Sequence, residues 1–338
     1  MSLTVLRPGL LTTIQDLGRY GYQKYGVIVS GAMDGYSLRV ANLLVGNAEG
    51  EGVLEVTLIG PTLKAEADTL MSITGGDLSP TIDGQPVPMW RPVHIRKGSV
   101  LQFGRCKSGC RAYLAVAGGY AINKVMGSKS TYLRAGIGGL EGRPLQAGDI
   151  LAVNPLHSDS IQLIRHLTQK AANGLVISTP WYVGREHVIP EATPTVVRVM
   201  RGQQFALFTD ESKDKLWHSL FQITLQSDRM GYRLSGTELL LEKPIEMVSE
   251  AVALGTIQVP PDGNPIVLMA DRQTTGGYPK IGQVALVDVD KVAQLKPGEK
   301  IKFQEISVEE AASGYREREK TIDRLRTAIG LKFNNFKE

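Results

Sequence analysis

The chain has 338 residues, which is more than one hydrophobic core usually serves, so two domains are the first expectation. Apolar residues make up 42% and charged residues 21%, proportions that are ordinary for a soluble globular protein. The net charge is only +4 and the charges are interspersed along the chain, so the composition does not indicate a nucleic-acid partner.

Apolar runs, the first residues and the cysteines limit the class of protein further. No apolar run approaches the ~20 residues of a membrane span, and the first residues lack a signal-peptide pattern. We therefore expect a cytoplasmic protein that does not enter a membrane. Cys106 and Cys110 are too few for a disulfide framework and have no histidine near them, so no metal site is predicted and their role stays open.

Short runs of Val, Ile, Leu and Thr separated by Gly, Pro, Asp and Asn predict a mostly β protein. The first half has such runs at residues 3–6, 53–58, 69–73, 93–95, 100–103, 112–117 and 150–153. The second half has them at residues 196–200, 221–225, 245–248, 257–259, 266–269, 284–289 and 301–303. This spacing favours a sandwich or a barrel over alternating strands and helices.

Few helices are predicted. Asp34 is placed to cap the N-terminus of a first helix, and residues 205–220 are a second helical candidate. Ser307 and Glu310 have the spacing of a capping box before a C-terminal helix over residues 311–329. The mixed charges of that helix indicate a solvated surface that packs on the last domain.

The stretch over residues 270–280 concentrates polar chemistry between two apolar runs. It contains an acid, a base, an amide, two hydroxyls and the glycine pair Gly276–Gly277, which permits positive φ or a close approach of backbone. Carboxylates and guanidinium groups between buried strands are costly unless they are paired. One interpretation is a tight hairpin in which Asp271 and Arg272 pair with each other or cap the turn, and the other is a functional site.

Short motifs of the first half recur in the same order in the second half. The pairs are Arg19-Tyr-Gly-Tyr with Arg229-Met-Gly-Tyr, Val29-Ser-Gly-Ala with Val248-Ser-Glu-Ala, Ala67-Asp with Ala270-Asp, and Thr74-Gly-Gly with Thr275-Gly-Gly. A collinear set of this kind indicates two related β-barrel domains, which we place at residues 1–180 and 181–338. Clefts between such domains are a common place for ligands.

Several of these motifs together carry a resemblance to a known family. They are Gln15-Asp-Leu-Gly-Arg-Tyr-Gly-Tyr22, Ser30-Gly-Ala-Met-Asp34, Ser227-Asp-Arg-Met-Gly-Tyr-Arg233, Gly255-Thr-Ile-Gln-Val-Pro260 and Asp271-Arg-Gln-Thr-Thr-Gly-Gly-Tyr-Pro279. With them the chain resembles the biotin-dependent carboxyltransferase family, also called the allophanate hydrolase subunit 2 family. The resemblance implies that both predicted domains are cyclophilin-like β-barrels.

The resemblance also implies partners and a reaction. It implies one component of an ATP-dependent 5-oxoprolinase, inactive alone, that hydrolyses 5-oxo-L-proline to L-glutamate with the A and B subunits, of which the B subunit is Kip inhibitor-like. The family also includes KipA, which antagonises the Kip inhibitor of a sporulation kinase, and the carboxyltransferase part of urea carboxylase. A regulatory protein and a carboxyltransferase therefore remain alternatives, and both a homodimer and a heterotetramer remain open.

The sequence limits which cofactors this chain can carry. No lysine is flanked by methionines, so no covalently attached biotin is expected. Residues 127–131, Gly-Ser-Lys-Ser-Thr, have the Lys-Ser of a P-loop without its upstream glycine at the required spacing. A plain turn and a loop that holds a carboxylate or phosphate are both compatible with this stretch. We expect the complex to use ATP, whether on this chain or on a partner.

Opening a lactam requires an activated carbonyl, a general base and cationic support. We expect Asp271, Arg272, Thr275 and Lys280 to be catalytic, with Asp271 as the base or orienting Lys280 and with Arg272 holding a substrate carboxylate. The candidates for substrate binding are Gln258, Ser227, Asp228, Arg229, Thr274, Gly276, Gly277, Asp16, Arg19 and Asp34. The competing interpretation of these charges is an internal salt-bridge network that stabilises the fold.

Overall fold

The computed structural model describes residues 1–170, 176–185, 189 and 192–334, which form two compact units. The first unit comprises Met1–Arg19, Ser30–Ile189 and Thr321–Glu338, and the second comprises Tyr20–Val29 and Pro190–Lys320. The sequence predicts one division, at residue 180. The two units differ from it because a segment near the start belongs with the second unit and the end of the chain belongs with the first.

The secondary structure is dominated by strands. They are β1 Ser2–Arg7, β2 Leu11–Gln15, β3 Val53–Thr57, β4 Thr62–Ala65, β5 Thr69–Asp77, β6 Thr81–Ile82, β7 Gln85–Pro86, β8 Val93–Ile95, β9 Val100–Gln102, β10 Ser108–Val116, β11 Ile150–Ala152, β12 Ile177–Ser178, β13 Thr195–Arg201, β14 Phe221–Ile223, β15 Gly231–Ser235, β16 Glu250–Ala251, β17 Thr256–Gln258, β18 Ile266–Leu268, β19 Thr275–Gly276, β20 Lys280–Val284 and β21 Lys300–Glu305. The α-helices are α1 Gly35–Leu44, α2 Ser158–Lys170, α3 Asp210–His218, α4 Leu286–Ala293 and α5 Val308–Asn334. The predicted mostly-β class and the C-terminal helix are confirmed.

The first unit contains two antiparallel six-stranded sheets. Their strand orders are β11-β1-β4-β9-β6-β7 and β12-β8-β5-β10-β3-β2. Strands β5 and β10 pair with each other and are buried along almost their whole length, because α1 packs on them. The sequence predicts a barrel for this unit, and its strands are arranged in these two sheets.

Helix α1 begins at the residue that the sequence predicted. The Asp34 carboxylate accepts the Ser37 backbone N–H at 2.8 Å and the Ser37 hydroxyl at 2.7 Å, which satisfies a donor that the first turn would otherwise leave free. The Asp34 backbone N–H donates to the Tyr113 hydroxyl oxygen at 2.8 Å. Asp34 is fully buried, so its carboxylate stabilises the start of α1.

The second unit is built around a closed seven-stranded barrel. The order of its strands is β13-β20-β17-β18-β15-β14-β21, and the barrel closes through the parallel pair β13 and β21. Its interior is filled by side chains that include the ring pair Phe221 and Phe303, whose centroids are 5.4 Å apart. Strands β16 and β19 form a separate two-stranded ribbon.

The strand predicted over residues 284–289 is wrong for most of its length. Only Val284 belongs to β20, and the next residues form helix α4. The buried residues Asp288, Val289, Val292 and Ala293 follow a helical spacing that a run of β-branched residues concealed. The burial of Asp288 is explained by its partner, because its carboxylate accepts hydrogen bonds from the Arg198 side chain at 2.7 and 2.8 Å.

This ion pair, in which the Asp288 carboxylate is fully buried, gives a pH prediction. Burial opposes ionisation of Asp288, but hydrogen bonds from Arg198 and Lys291 outweigh it and hold the carboxyl pKa below its usual value. A depressed pKa in the folded state contributes stability above the unfolded pKa of about 3.9, and that stability is lost as the pH falls further. We expect Asp288→Asn to be less stable at pH 7 and to lose less stability than the parent between pH 5 and pH 2.

Urea unfolding across that pH range measures the effect. Asp262→Asn removes the same charge from an exposed residue that makes only turn contacts, so it serves as the matched control. Parallel acid limbs for the parent chain and Asp288→Asn would contradict the prediction.

Helix α5 confirms the capping box. The Ser307 backbone N–H donates to Glu310 Oε2 at 2.7 Å, and the Glu310 backbone N–H donates to Ser307 Oγ at 3.1 Å. The helix continues past residue 329 to Asn334, because Ile329 and Phe333 are both buried on one side of it. Across the described residues, none of the helices is long and apolar enough to cross a membrane.

Candidate functional site

The stretch that the sequence singled out links three strands of the second unit. It leaves the barrel where β18 ends, passes through β19 and returns at the start of β20. In the ribbon, Glu250 is paired with Gly276, and Ala251 is paired with Thr275. The ribbon therefore contains Thr275 and Gly276. The charged residues of the stretch lie before and after these two positions in the sequence.

Asp271 is engaged in a buried ion pair. Its two carboxylate oxygens accept Arg229 Nε at 2.9 Å and a terminal Arg229 nitrogen at 3.0 Å. The Asp271 backbone N–H also donates to the Arg229 carbonyl oxygen at 2.8 Å. Both residues are buried, with 6% of each exposed. This bidentate geometry favours the salt-bridge interpretation for Asp271 and Arg229.

Lys280 lies at the first position of β20 and is also buried and paired. Its ammonium Nζ donates to Glu250 Oε2 at 2.7 Å and to the Ala251 carbonyl oxygen at 3.4 Å. Glu250 is only partly buried, with 43% of its side chain exposed. The Lys280 ammonium is therefore held in place by a carboxylate that still faces solvent.

Gln258 packs directly on the glycine of the ribbon. Its Nε2 donates to the Tyr278 carbonyl oxygen at 3.3 Å, and the residue is 2% exposed. A Cβ added at Gly276 would lie 2.5 Å from Gln258 Nε2, so only glycine fits there without displacing the amide. A side chain at position 276 would therefore require the Gln258 amide to move.

Arg272 differs from the neighbouring charged residues because no carboxylate of the described residues pairs with it. Its Nε is buried without a hydrogen-bond partner in that same part of the chain, and one terminal nitrogen donates to the Met269 carbonyl oxygen at 3.4 Å. Burial lowers the pKa of the Arg272 guanidinium, and an electrostatic interaction with Tyr20 only partly opposes that effect. A buried guanidinium without a counter-charge is destabilising, so binding of an anion to it would be favourable.

That guanidinium lines a cavity of about 170 Å³ in the second unit. The cavity is lined by Gln23, Ile28, Val29, Ala251, Val252, Arg272, Gln273 and Thr274. It therefore combines one cation, two amides and a hydroxyl with an apolar wall. A bidentate guanidinium beside amide and hydroxyl groups is a common way to hold a carboxylate. The arrangement fits a small carboxylic acid that also carries polar groups.

Two of the predicted binding residues shape a turn instead of the cavity. Asp228 Oδ1 accepts the backbone N–H groups of Met230 at 2.8 Å and of Gly231 at 3.2 Å. Ser227 Oγ accepts the Arg233 backbone N–H at 3.1 Å. These bonds form the connection between β14 and β15, which is typical of aspartate and serine in turns.

Asp16 and Arg19 lie in the first unit and hold a loop. The Asp16 carboxylate accepts the hydroxyls of Ser128 and Ser130 at 2.7 and 2.6 Å and the Lys129 backbone N–H at 2.6 Å. Arg19 donates to the carbonyl oxygens of Val125 and Ser130, both at 2.9 Å. The Asp16 carboxylate and the Arg19 guanidinium therefore both hold residues 125–130 in place.

The same contacts decide what residues 127–131 can bind. The Asp16 carboxylate already uses the donors that a phosphate would need, and the Thr131 backbone N–H donates to the Ile14 carbonyl oxygen at 2.9 Å. The Lys129 ammonium pairs with Glu51 and donates to the Tyr120 carbonyl oxygen at 2.8 Å. These residues therefore do not fit a nucleotide phosphate, and the plain-turn interpretation is favoured. No group of His, Cys, Asp and Glu in the described part of the chain could hold a metal ion.

Of the predicted residues of the second unit, Arg272 and Thr274 line the cavity, and Thr275 and Gly276 belong to the ribbon. Gln258 and Lys280 contact the ribbon. The structure places Asp16, Arg19 and Asp34 in the first unit, each with a local hydrogen-bonding role. Sequence reasoning did not select Glu250 and Gln23. Both lie inside or next to the repeated motifs, and this position in the sequence could have identified them as candidates.

Comparison with known proteins identifies relatives that match most of the chain. Residues 25–305 match the family described as "Carboxyltransferase domain, subdomain A and B". The chain is 39% identical over 320 residues to a Haemophilus influenzae protein named as the C subunit of 5-oxoprolinase, covering 95% of this chain and 96% of that one. It is 38% identical to the Escherichia coli protein of the same name, covering 96% of this chain and 97% of the relative.

A urea amidolyase of Saccharomyces cerevisiae is 32% identical over 92% of this chain, but the match covers only 17% of that protein. Among solved structures, the urea amidolyase of Kluyveromyces lactis superposes with a TM-score of 0.84 at 29% identity, over 96% of this chain and 20% of that one. The crystal structure of TTHA0988 gives a TM-score of 0.74 at 33% identity, over 90% of this chain and 55% of that one. Because the family match extends over most of the chain and the named bacterial relatives match from end to end, the chain belongs to the family of carboxyltransferase domains with subdomains A and B.

Proposed function

We propose that this chain is the C subunit of a 5-oxoprolinase, which hydrolyses 5-oxo-L-proline to L-glutamate with the A and B subunits at the expense of ATP. The observation that carries the proposal is the length of the matches. Two bacterial proteins with that name match over 96% and 97% of their own length, whereas the matching part of the yeast urea amidolyase is 17% of that protein.

The chemistry of the Arg272 cavity supports this substrate. 5-Oxo-L-proline is a small lactam with one carboxylate, and the cavity of about 170 Å³ is lined by one guanidinium, that of Arg272. In the proposed complex Arg272 binds the substrate carboxylate, while the Thr274 hydroxyl and the Gln273 amide line the same cavity. Lys280 donates to the carbonyl oxygen of Ala251, which lines the cavity, and so supplies a cation beside it.

In this proposal ATP binds to a partner subunit and not to this chain. Residues 127–131 do not fit a phosphate, because Asp16 and Ile14 already accept their donors. We therefore assign the nucleotide to one of the two partners and give this chain no step that involves ATP. The role proposed for this chain is to bind and orient the lactam, with Arg272 on the carboxylate and Lys280 close to the cavity.

Reconstitution tests the proposal. We expect the isolated chain to form no glutamate, and the mixture with the A and B subunits to form glutamate that requires both ATP and 5-oxo-L-proline. Chromatographic quantification of glutamate measures the result, and omission of each component in turn is the control. Rapid glutamate formation by the isolated chain, or none by the complete mixture, would contradict it.

A second candidate is a carboxyltransferase of the urea carboxylase type, which is favoured by the superposition on the Kluyveromyces lactis enzyme. Such an enzyme depends on biotin carried by another segment, so avidin would abolish its activity. The same reconstitution therefore includes avidin, and inhibition by avidin would support this candidate. Stable binding to the B subunit without any turnover would instead support a regulatory role of the KipA type.

A further inference from the structure

One wall of the Arg272 cavity is formed by the ribbon and the residues next to it. Ala251 belongs to β16, and Val252 follows it directly. Gln273 and Thr274 line the cavity just before β19 begins. Each of the two ribbon strands has only two residues. A two-stranded ribbon is marginally stable by itself, so contacts with its surroundings are needed to hold this wall in place.

Hydrogen bonds inside the ribbon join the two parts of the wall. Ala251 is paired with Thr275, and the Val252 backbone N–H donates to the Thr274 carbonyl oxygen at 3.2 Å. A displacement of β16 would therefore change the position of Val252 and disturb its bond to Thr274. The shape of the cavity depends on where β16 lies.

Lys280 connects β16 to the barrel. It is the first residue of β20, a strand of the closed barrel, and it is 8% exposed. Its Nζ donates to Glu250 Oε2 at 2.7 Å and to the Ala251 carbonyl oxygen at 3.4 Å. Both acceptors belong to β16. One barrel side chain therefore holds a side chain and a backbone oxygen of the strand that carries the cavity wall.

Regular structure does not fix β16 on either side. Residues 244–249 before it belong to no helix or strand. After it, the Ala253 backbone N–H donates to Oγ1 of Thr256, where β17 begins, at 3.1 Å. Strand β19 is tied more closely, because residues 277–279 alone separate it from β20 and Gly276 packs against the Gln258 amide. We therefore expect the contact with Lys280 to determine the position of β16.

The strength of that contact depends on Glu250. The Lys280 side chain is 11% exposed and the Glu250 side chain is 43% exposed. Among the described residues, Glu250 is the only carboxylate that pairs with Lys280. Hydrogen bonds to charged groups contribute more than neutral ones, and a largely buried ammonium without a counter-charge is unfavourable. Loss of the Glu250 carboxylate would leave Lys280 with the longer bond to Ala251.

We propose that Glu250 is a positioning residue of the Arg272 cavity. Its carboxylate, held by the Lys280 ammonium, fixes β16 so that Ala251 and Val252 form the cavity wall. Glu250 does not line the cavity, so it acts through the position of β16 and not by contact with the substrate. This inference rests on the proposed function, because it gives the ion pair a role in binding 5-oxo-L-proline.

Hydrogen exchange of the full chain tests whether Glu250 holds β16. We expect Glu250→Ala to speed exchange of residues 250–253 and 273–276 at least about threefold, while strands β13 and β21 keep the parental rates. Glu250→Gln keeps an acceptor oxygen for Lys280, so its rates should lie between those of the parent and Glu250→Ala. Glu246→Ala removes an exposed carboxylate from the preceding loop and should exchange like the parent.

The KM for 5-oxo-L-proline in the reconstituted complex tests the role in binding. Glu250→Ala should raise this KM roughly threefold to thirtyfold and change kcat by less than about twofold. Glu250→Gln should recover part of the loss, and Glu246→Ala should keep the parental KM. A pair that only stabilised the fold would lower the unfolding temperature and leave the KM of the folded complex unchanged.

A double variant distinguishes positioning from direct contact between Lys280 and the substrate. Lys280→Met should raise the KM as Glu250→Ala does, and the double variant should not exceed the larger single effect, because both changes break one contact. If Lys280 contacts the lactam itself, the two effects should multiply.

The outcomes separate this inference from the proposed function. In an active complex, a parental KM for Glu250→Ala, a loss confined to kcat, or multiplying effects in the double variant would overturn the role of Glu250. If the parent complex forms no glutamate, the proposed function fails, and hydrogen exchange decides the inference alone. Parental exchange rates in residues 250–253 of Glu250→Ala would then overturn it, and faster rates would support it.

Discussion

In the reconstituted complex, Arg272→Gln should lower kcat/KM for 5-oxo-L-proline by roughly 30- to 1000-fold, which corresponds to about 2–4 kcal/mol. The reason is that the variant removes the guanidinium that we assign to the substrate carboxylate. The unfolding temperature of the chain should stay unchanged or rise, because the Arg272 Nε is buried without an acceptor among the described residues and its charge is unfavourably desolvated.

Matched variants and a matched substrate make this test specific. Arg233→Gln removes the same charge from an exposed position on β15 and should keep parental activity. Arg272→Lys keeps the charge but loses the bidentate geometry, so an intermediate activity is expected. The amide of 5-oxo-L-proline lacks the carboxylate, and the parent should discriminate against it far more than Arg272→Gln does. Equal losses with both substrates would contradict the assignment.

Local sequence rules predicted the parts of the fold that depend on neighbouring residues. The cap at Asp34 and the box of Ser307 and Glu310 are found as expected, because each satisfies backbone donors within a few residues. Helix α4 was mistaken for a strand, because Val and Leu at 284–289 give no local sign that Arg198 neutralises Asp288 from 90 residues away. The strand predicted at 245–248 has no regular structure.

The sequence predicted which residues lie in the candidate site more accurately than it predicted which of them pair with each other. The motifs selected Arg229, Asp271 and Arg272, and all three lie in the second unit. The tight-hairpin hypothesis paired Asp271 with Arg272, but Asp271 pairs with Arg229 and Arg272 lines the cavity. Asp271 and Arg272 lie in a turn, in which the Arg272 backbone N–H donates to the Met269 carbonyl oxygen at 3.1 Å, and their side chains have different surroundings. Which distant arginine satisfies the carboxylate depends on strand order, which the sequence did not reveal.

This pairing leads to the largest stability effect that we expect. Asp271→Asn leaves the Arg229 guanidinium buried without its counter-charge, which costs about 3–5 kcal/mol in comparable buried pairs. For a unit of this size the unfolding temperature should fall by roughly 6–20 °C. Scanning calorimetry of the isolated chain measures the change. Asp262→Asn, at an exposed position, should leave the unfolding temperature unchanged.

The double variant Arg229→Met with Asp271→Leu distinguishes a structural pair from a catalytic base. It replaces both charges by apolar side chains, so it should recover most of the stability that Asp271→Asn loses. If Asp271 acts only through this pair, Asp271→Asn should keep much of its activity per folded molecule at a temperature well below its transition. If Asp271 is the general base, activity should disappear while the unfolding temperature hardly changes. A normal unfolding temperature for Asp271→Asn would therefore contradict the structural role, since the bidentate contact of 2.9 and 3.0 Å with a buried guanidinium could not then be stabilising the fold.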